Sequence, residues 1–145
     1  MICADSSLVV KWLLPDEEDS ASVGRFLTEQ VARREPIIAP FLLRDEFANV
    51  VRKKIRTNQF PVAQADGVLD RFFDQPIAFR SPVRLHHTAL RMANEYNLHA
   101  IYDAEYLALA HITGCEFWTA DLEIIRKVKR HLPFVRPLRE YEAAP

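Results

Sequence analysis

The sequence predicts an α/β protein, a central parallel sheet of four to five strands covered by helices in three α/β/α layers. Three observations carry that prediction. Short apolar runs and helix-periodic segments alternate along the chain with no repeat or linker between them. The apolar runs are continuous rather than alternating, as in strands buried on both faces. A length of 145 residues, 49% apolar and 27% charged, suits one globular domain over positions 1–145.

Taken in order, residues 1–4 read as a short buried strand, and a helix over 6–14 follows, stopped by Pro15. The acidic run 16–19 opens a second helix, where negative charge suits the positive helix end. Val23, Phe26, Leu27 and Val31 give that helix its stripe. Residues 36–39 form the second strand. Two helices joined near Asn58 come next. The first bears Leu43, Phe47, Val50 and Val51; the second starts at Pro61 and bears Val62, Ala65, Leu69, Phe72 and Phe73. Residues 77–79 are the third strand. Ser81 and Pro82 look like an N-cap and first helical position, leading into a helix faced by Leu85, Ala89, Met92, Ala93 and Tyr96. A helix over 102–113 is apolar nearly all round, hence buried, and Gly114 ends it. Residues 116–119 are the fourth strand, a helix follows Asp121, and Phe134-Val135 offers a fifth strand.

Composition excludes several function classes. No apolar run reaches the roughly 18 residues of a membrane helix. The chain opens without a basic leader or cleavage site, so a cytoplasmic, non-membrane protein is expected. Cys3 and Cys115 lack metal-knuckle spacing and read as reduced core thiols. Three glycines cannot assemble a phosphate-cradling loop. A net charge of −1 gives no long-range pull on nucleic acid, so any such contact needs a local patch. The five histidines have no metal-site partners in sequence and read as surface or packing residues. Trp12 and Trp118 read as core aromatics.

The chemistry points to carboxylates. In open parallel sheets, ligands bind beyond the carboxyl ends of the strands at a switch in strand order. Asp5 ends the first strand, Asp121 ends the fourth, and Asp103 opens the buried helix before it. Glu46 lies on or beside the core-facing stripe of its helix, where an unpaired carboxylate is expensive. Each aspartate alone could be a helix cap. Together the four suggest a site for Mg²⁺ or Mn²⁺, hard cations that take oxygen ligands and activate water against phosphate. Ser6 and Thr119 could support a carboxylate or act as caps. The runs Arg52, Lys53, Lys54, Arg56 and Arg126, Lys127, Lys129, Arg130 are ordinarily solvated faces. Arg52, Lys53, Arg126 and Lys127 are the best phosphate contacts among them.

Four motifs then resemble one family. The run from Asp5 to Pro15, DSSLVVKWLLP, resembles the opening of PIN-domain proteins of the VapC toxin type. Residues 45–51, DEFANVV, resemble that family's second motif, with Glu46 as ligand and Asn49 as its helical companion. Residues 102–110, YDAEYLALA, and 118–121, WTAD, resemble the third and fourth. The resemblance implies a first strand central in the sheet and a Mg²⁺- or Mn²⁺-dependent endoribonuclease in which Asp5, Glu46, Asp103 and Asp121 are catalytic and metal-binding. It also implies a homodimer and a small antitoxin partner that masks the acidic pocket. Residues 41–74 resemble the region that forms the antitoxin groove, and Glu123 is the nearest candidate for a further acid. A catalytically silent module acting through a partner protein is the other reading. A haloacid-dehalogenase type is disfavoured because Ser7 stands where its second aspartate belongs.

Overall fold

The computed structural model describes residues 1–14 and 19–142. Element order is β1 (Ile2–Ala4), α1 (Ser6–Leu13), α2 (Ser20–Ala32), β2 (Ile37–Pro40), α3 (Leu42–Arg56), α4 (Ala65–Phe73) and β3 (Ile77–Arg80). It continues through α5 (Leu85–Glu95), α6 (Ile101–Thr113), β4 (Glu116–Thr119), α7 (Leu122–Val128), β5 (Val135–Pro137) and α8 (Leu138–Glu142). The stop at Pro15 and the acidic opening at 16–18 lie outside the described residues.

The sheet is five-stranded and parallel throughout, ordered β3-β2-β1-β4-β5. β1 and β2 are buried along their whole length, because helices cover both faces. On one face α1 packs against α2, α3 and α4, with α8 against α2; on the other α6 lies across β1, β2 and β4 beside α5. β1 is central, and the order reverses between β1 and β4. There Cys3 pairs with Phe117 and Ala4 with Trp118. Crevices at such reversals are where ligands of doubly wound sheets bind. No helix of the described residues is long and apolar enough to cross a membrane.

Several local expectations are corrected. Val31 is 36% exposed at the end of α2, past the core that Val23, Phe26 and Leu27 reach. The segment after Pro61 begins as a 3₁₀ turn, Val62–Gln64, before α4. Its tighter winding shifts the helical phase. Val68 and Phe72 therefore take the buried face, while Val62 and Phe73 are 72% and 50% exposed. Ser81 and Pro82 do not cap α5; Leu85 N–H donates to Pro82 O across a turn, and the helix starts at Leu85. Lys54 is buried rather than solvated. The short α8 carries no periodicity to read, yet Tyr141 on it packs against Phe26 and donates to Glu29.

Other expectations describe the structure well. α6 is buried from Ala104 to Ala110, and Gly114 ends it at φ 66°, a left-handed conformation that glycine adopts without Cβ strain. Asn58 turns between α3 and the next segment at φ 54°. Cys3 and Cys115 are free, buried thiols, and burial pushes the Cys3 thiol well up.

Candidate metal centre

Four chain segments deliver acids to the carboxyl edge of the sheet. Asp5 directly follows β1, and its N–H still bonds to Trp118 O at 3.1 Å, continuing the ladder. Asp121 follows β4 by two residues and caps α7, its Oδ1 accepting from Glu123 and Ile124 N–H at 2.7 and 3.2 Å. α6 runs back against the strands, so Asp103 in its first turn sits at the same edge. Glu46 lies in the second turn of α3, just beyond the end of β2. Asp5, Asp103 and Asp121 thus stand at three helix N-termini, where the peptide dipoles favour negative charge.

Hydroxyls hold the inner pair. Asp5 is 5% exposed, and its Oδ2 accepts from Thr119 Oγ1 at 2.6 Å and Ser7 Oγ at 2.8 Å. Ser7 Oγ in turn accepts from Ala120 N–H at 3.2 Å, and Thr119 Oγ1 from Asp121 N–H at 2.9 Å. The two hydroxyls therefore stitch the end of β1 to the turn after β4. Tyr106, one helical turn past Asp103, donates its hydroxyl to Glu46 Oε2. Ser6 donates a further hydrogen bond to Glu46 and its backbone N–H serves Asp5.

The electrostatics are those of crowded like charges. Burial raises the Asp5 carboxyl above its ordinary range, and the Asp121 charge adds to this against the hydroxyl donors. Burial also raises Glu46, with Asp5 and Asp103 pushing the same way. Asp103 is raised by burial and then by Asp121 and Glu123, opposed by Lys127 and His99. The repulsions close a ring: Asp5 on Glu46, Glu46 by Asp103, Asp103 by Asp121, and Asp121 on Asp5. Among the described residues no ion pair reaches any of the four.

The chain is similar to a solved structure, the crystal structure of PAE2754 from Pyrobaculum aerophilum. They share 20% identity and a TM-score of 0.70, over 97% of this chain and 90% of that one. The likeness shows the fold alone. No protein-family model and no curated protein matches the chain.

Of the supporting residues, Thr119 and Ser6 contact the acids, whereas Asn49 is exposed and, among the described residues, no hydrogen bond reaches its side chain. Arg52, Lys53 and Arg126 are exposed, and Lys127 lies at the rim, bonded to Glu123. Sequence reasoning missed Ser7 and Tyr106 and undervalued His99. Two of these carried a signal. Tyr106 is three residues past Asp103, on the same face of a helix, and Ser7 follows Asp5 within one turn. His99 lines a small cavity with Asp103, Asp121, Glu123 and Lys127, a proximity no local spacing shows.

The four candidate ligands are all carboxylates, oxygen donors that suit a hard dication by their chemistry, and the His99 imidazole lines the cavity beside Asp103 and Asp121. Among the described residues no three His, Cys, Asp or Glu side chains stand at ligand spacing around one point. Asp5, Glu46 and Asp103 are each near enough to another acid of the four for its charge to favour the protonated form.

Proposed function

We propose that this protein is a Mg²⁺- or Mn²⁺-dependent endoribonuclease that hydrolyses RNA phosphodiester bonds at Asp5, Glu46, Asp103 and Asp121. The observation that carries the reading is the closed ring of four carboxylates, three of them raised, at the strand-order reversal. A bound dication supplies charge to neutralise phosphate oxygens and lowers the pKa of a water for attack. Thr119 and Ser7 fix the orientation of Asp5, so that its free lone pairs are presented without rotamer loss. Tyr106 and Ser6 do the same for Glu46. Asp121 is held by the α7 backbone, which keeps one oxygen occupied and leaves the other to the site. Arg52, Lys53 and Arg126 are exposed on the flanking helices, suited to phosphates along a single strand.

In this reading the protein is the toxin of a toxin–antitoxin pair, a cytoplasmic homodimer restrained by a small antitoxin. The resemblance of the four motifs supports it. So does the exposed aromatic surface between α3 and α4, where Arg44 lies over the rings of Phe41, Phe73 and Phe79 at 6.0, 5.3 and 5.8 Å. Incubating partner-free protein with labelled structured RNAs in Mn²⁺ tests the activity. Cleavage that vanishes with EDTA is the expected result. Absence of metal-dependent cleavage across those RNAs overturns it in favour of a silent binding module.

A further inference from the structure

The two halves of the carboxylate ring are neutralised differently. Asp5 and Glu46 are held by neutral hydroxyls, while Asp103 and Asp121 face a fixed cation. Lys127 Nζ donates to Asn97 O at 2.9 Å, in the turn between α5 and α6, and lies 2.9 Å from Glu123 Oε1, one helical turn earlier on α7. Asn97 reaches this position through a left-handed backbone, φ 49°. The lysine side chain is 29% exposed, so its ammonium is partly withdrawn from water. It shares with Asp103, Asp121, Glu123 and His99 a cavity of about 20 Å³, room for one water-sized occupant.

We propose that Lys127 is a tethered counter-ion: held by Asn97 O and Glu123, it partly neutralises the Asp103–Asp121 half of the ring and thereby limits how tightly the site takes a dication. This rests on the proposed metal-dependent reading. Lys127 lines one small cavity with Asp103 and Asp121, so its charge is felt at those carboxylates and not only at Glu123. The role is one of positioning and charge: Lys127 acts on the site through Asp103. Without a dication it relieves the repulsion between neighbouring carboxylates. With one bound it is itself the repelled charge. Its two effects thus have opposite signs in the two states, which no purely structural role reproduces.

The experiment is titration of Mn²⁺ into wild type, Lys127→Met, Lys127→Arg and Lys129→Met, by calorimetry, with thermal unfolding recorded in EDTA and in saturating Mn²⁺. Lys129 is on the neighbouring stretch but is bound to Val135 O and Glu140, so it controls for the change in overall charge. Lys127→Met is expected to bind Mn²⁺ about three- to tenfold more tightly. It should melt below wild type in EDTA, and this deficit should vanish in Mn²⁺. Lys127→Arg and Lys129→Met should bind Mn²⁺ as wild type does. Unchanged or weaker Mn²⁺ binding by Lys127→Met overturns the proposal, as does an equal loss of melting temperature in both states. A wild type that binds no Mn²⁺ overturns instead the metal-dependent reading on which it rests.

Discussion

Acidic side chains gather at two places in this molecule, and the two are balanced in opposite ways. Beside β4 and β5, Glu116 and Glu140 meet Arg136 and Lys129: Arg136 reaches Glu116 at 2.8 Å and Glu140 at 3.2 Å, and Lys129 reaches Glu140 at 2.9 Å. Two cations there answer two anions. Although partial burial opposes it, these cations hold Glu140 below its usual range, while Glu116 holds the Arg136 guanidinium up. At the carboxyl edge of the sheet, four acids have no ion pair among the described residues, and three of them are raised. The same residue types thus make a surface brace in one place and an electrostatic strain in the other. Clustering alone says little about function; charge in excess of its counter-ions beside a strand-order reversal says more.

The largest expected effect breaks the strained cluster at its most buried member. Asp5→Asn keeps a side chain able to accept from Thr119 and Ser7 but removes the charge. Metal-dependent RNA cleavage should fall below detection, while the metal-free protein becomes more stable. Each kcal/mol of relief is worth about 2–4 °C in melting temperature for a chain of this size. The sign in pH follows from the raised carboxyl. Its cost is absent below its ordinary value of 3.8, grows as pH rises toward the folded value, and is complete above it. The gap between variant and wild type should therefore widen with rising pH and then level off. Glu35, Glu123 and Glu140 are lowered and act in the opposite direction, so the difference between the two proteins is the quantity to measure. An Asp5→Asn protein that melts below wild type in EDTA at pH 8 would remove the strain from the comparison.

Much of this arrangement was legible in the sequence. Asp5 and Asp121 could be placed at strand ends because continuous apolar runs mark buried strands, and Gly114 marked the end of α6 through its backbone freedom. Glu46 stood out because a carboxylate on an apolar stripe violates the helical pattern. What escaped has a physical reason in each case. The 3₁₀ turn at Val62–Gln64 changes helical phase without changing composition, so Val62 and Phe73 read as core. Ser7 escaped because its bond to Ala120 N–H forms only once β1 and β4 pair, and the same pairing brings Thr119, an expected support, to Asp5.

 Thr119 is the distant partner, 114 positions from Asp5. Ser7 is a neighbour of Asp5, and what strand pairing adds there is its bond to Ala120 N–H, 113 positions on.

A smaller effect sharpens the comparison within the strained cluster. Tyr106→Phe preserves ring packing in α6 but removes the hydroxyl that Glu46 accepts. Partners that orient metal-binding groups are typically worth about 10- to 100-fold in metal affinity, and with the Ser6 bond retained the low end applies. Mn²⁺ binding should weaken about tenfold, while stability in EDTA falls by about 1 kcal/mol, the worth of one hydrogen bond. Wild-type Mn²⁺ affinity in Tyr106→Phe would show that the hydroxyl serves packing alone.

The smallest effect probes the balanced cluster. Arg136→Ala removes two partly exposed ion pairs, each worth under about 1 kcal/mol, and leaves Lys129 on Glu140 and the Trp118 indole N–H on Glu116. Melting temperature should drop by about 2–4 °C. The drop should be the same with and without Mn²⁺ and should shrink in high salt, because screening weakens exposed pairs. Mn²⁺ affinity should not change, since no Arg136 contact reaches the carboxylate ring. The two clusters would then respond with opposite signs in the absence of metal: the brace weakens when Arg136 is removed, and the strained ring relaxes when Asp5 loses its charge. A metal-dependent loss in Arg136→Ala would mean that the two clusters are coupled through β4, whose Glu116 and Thr119 stand at opposite ends of a single four-residue strand.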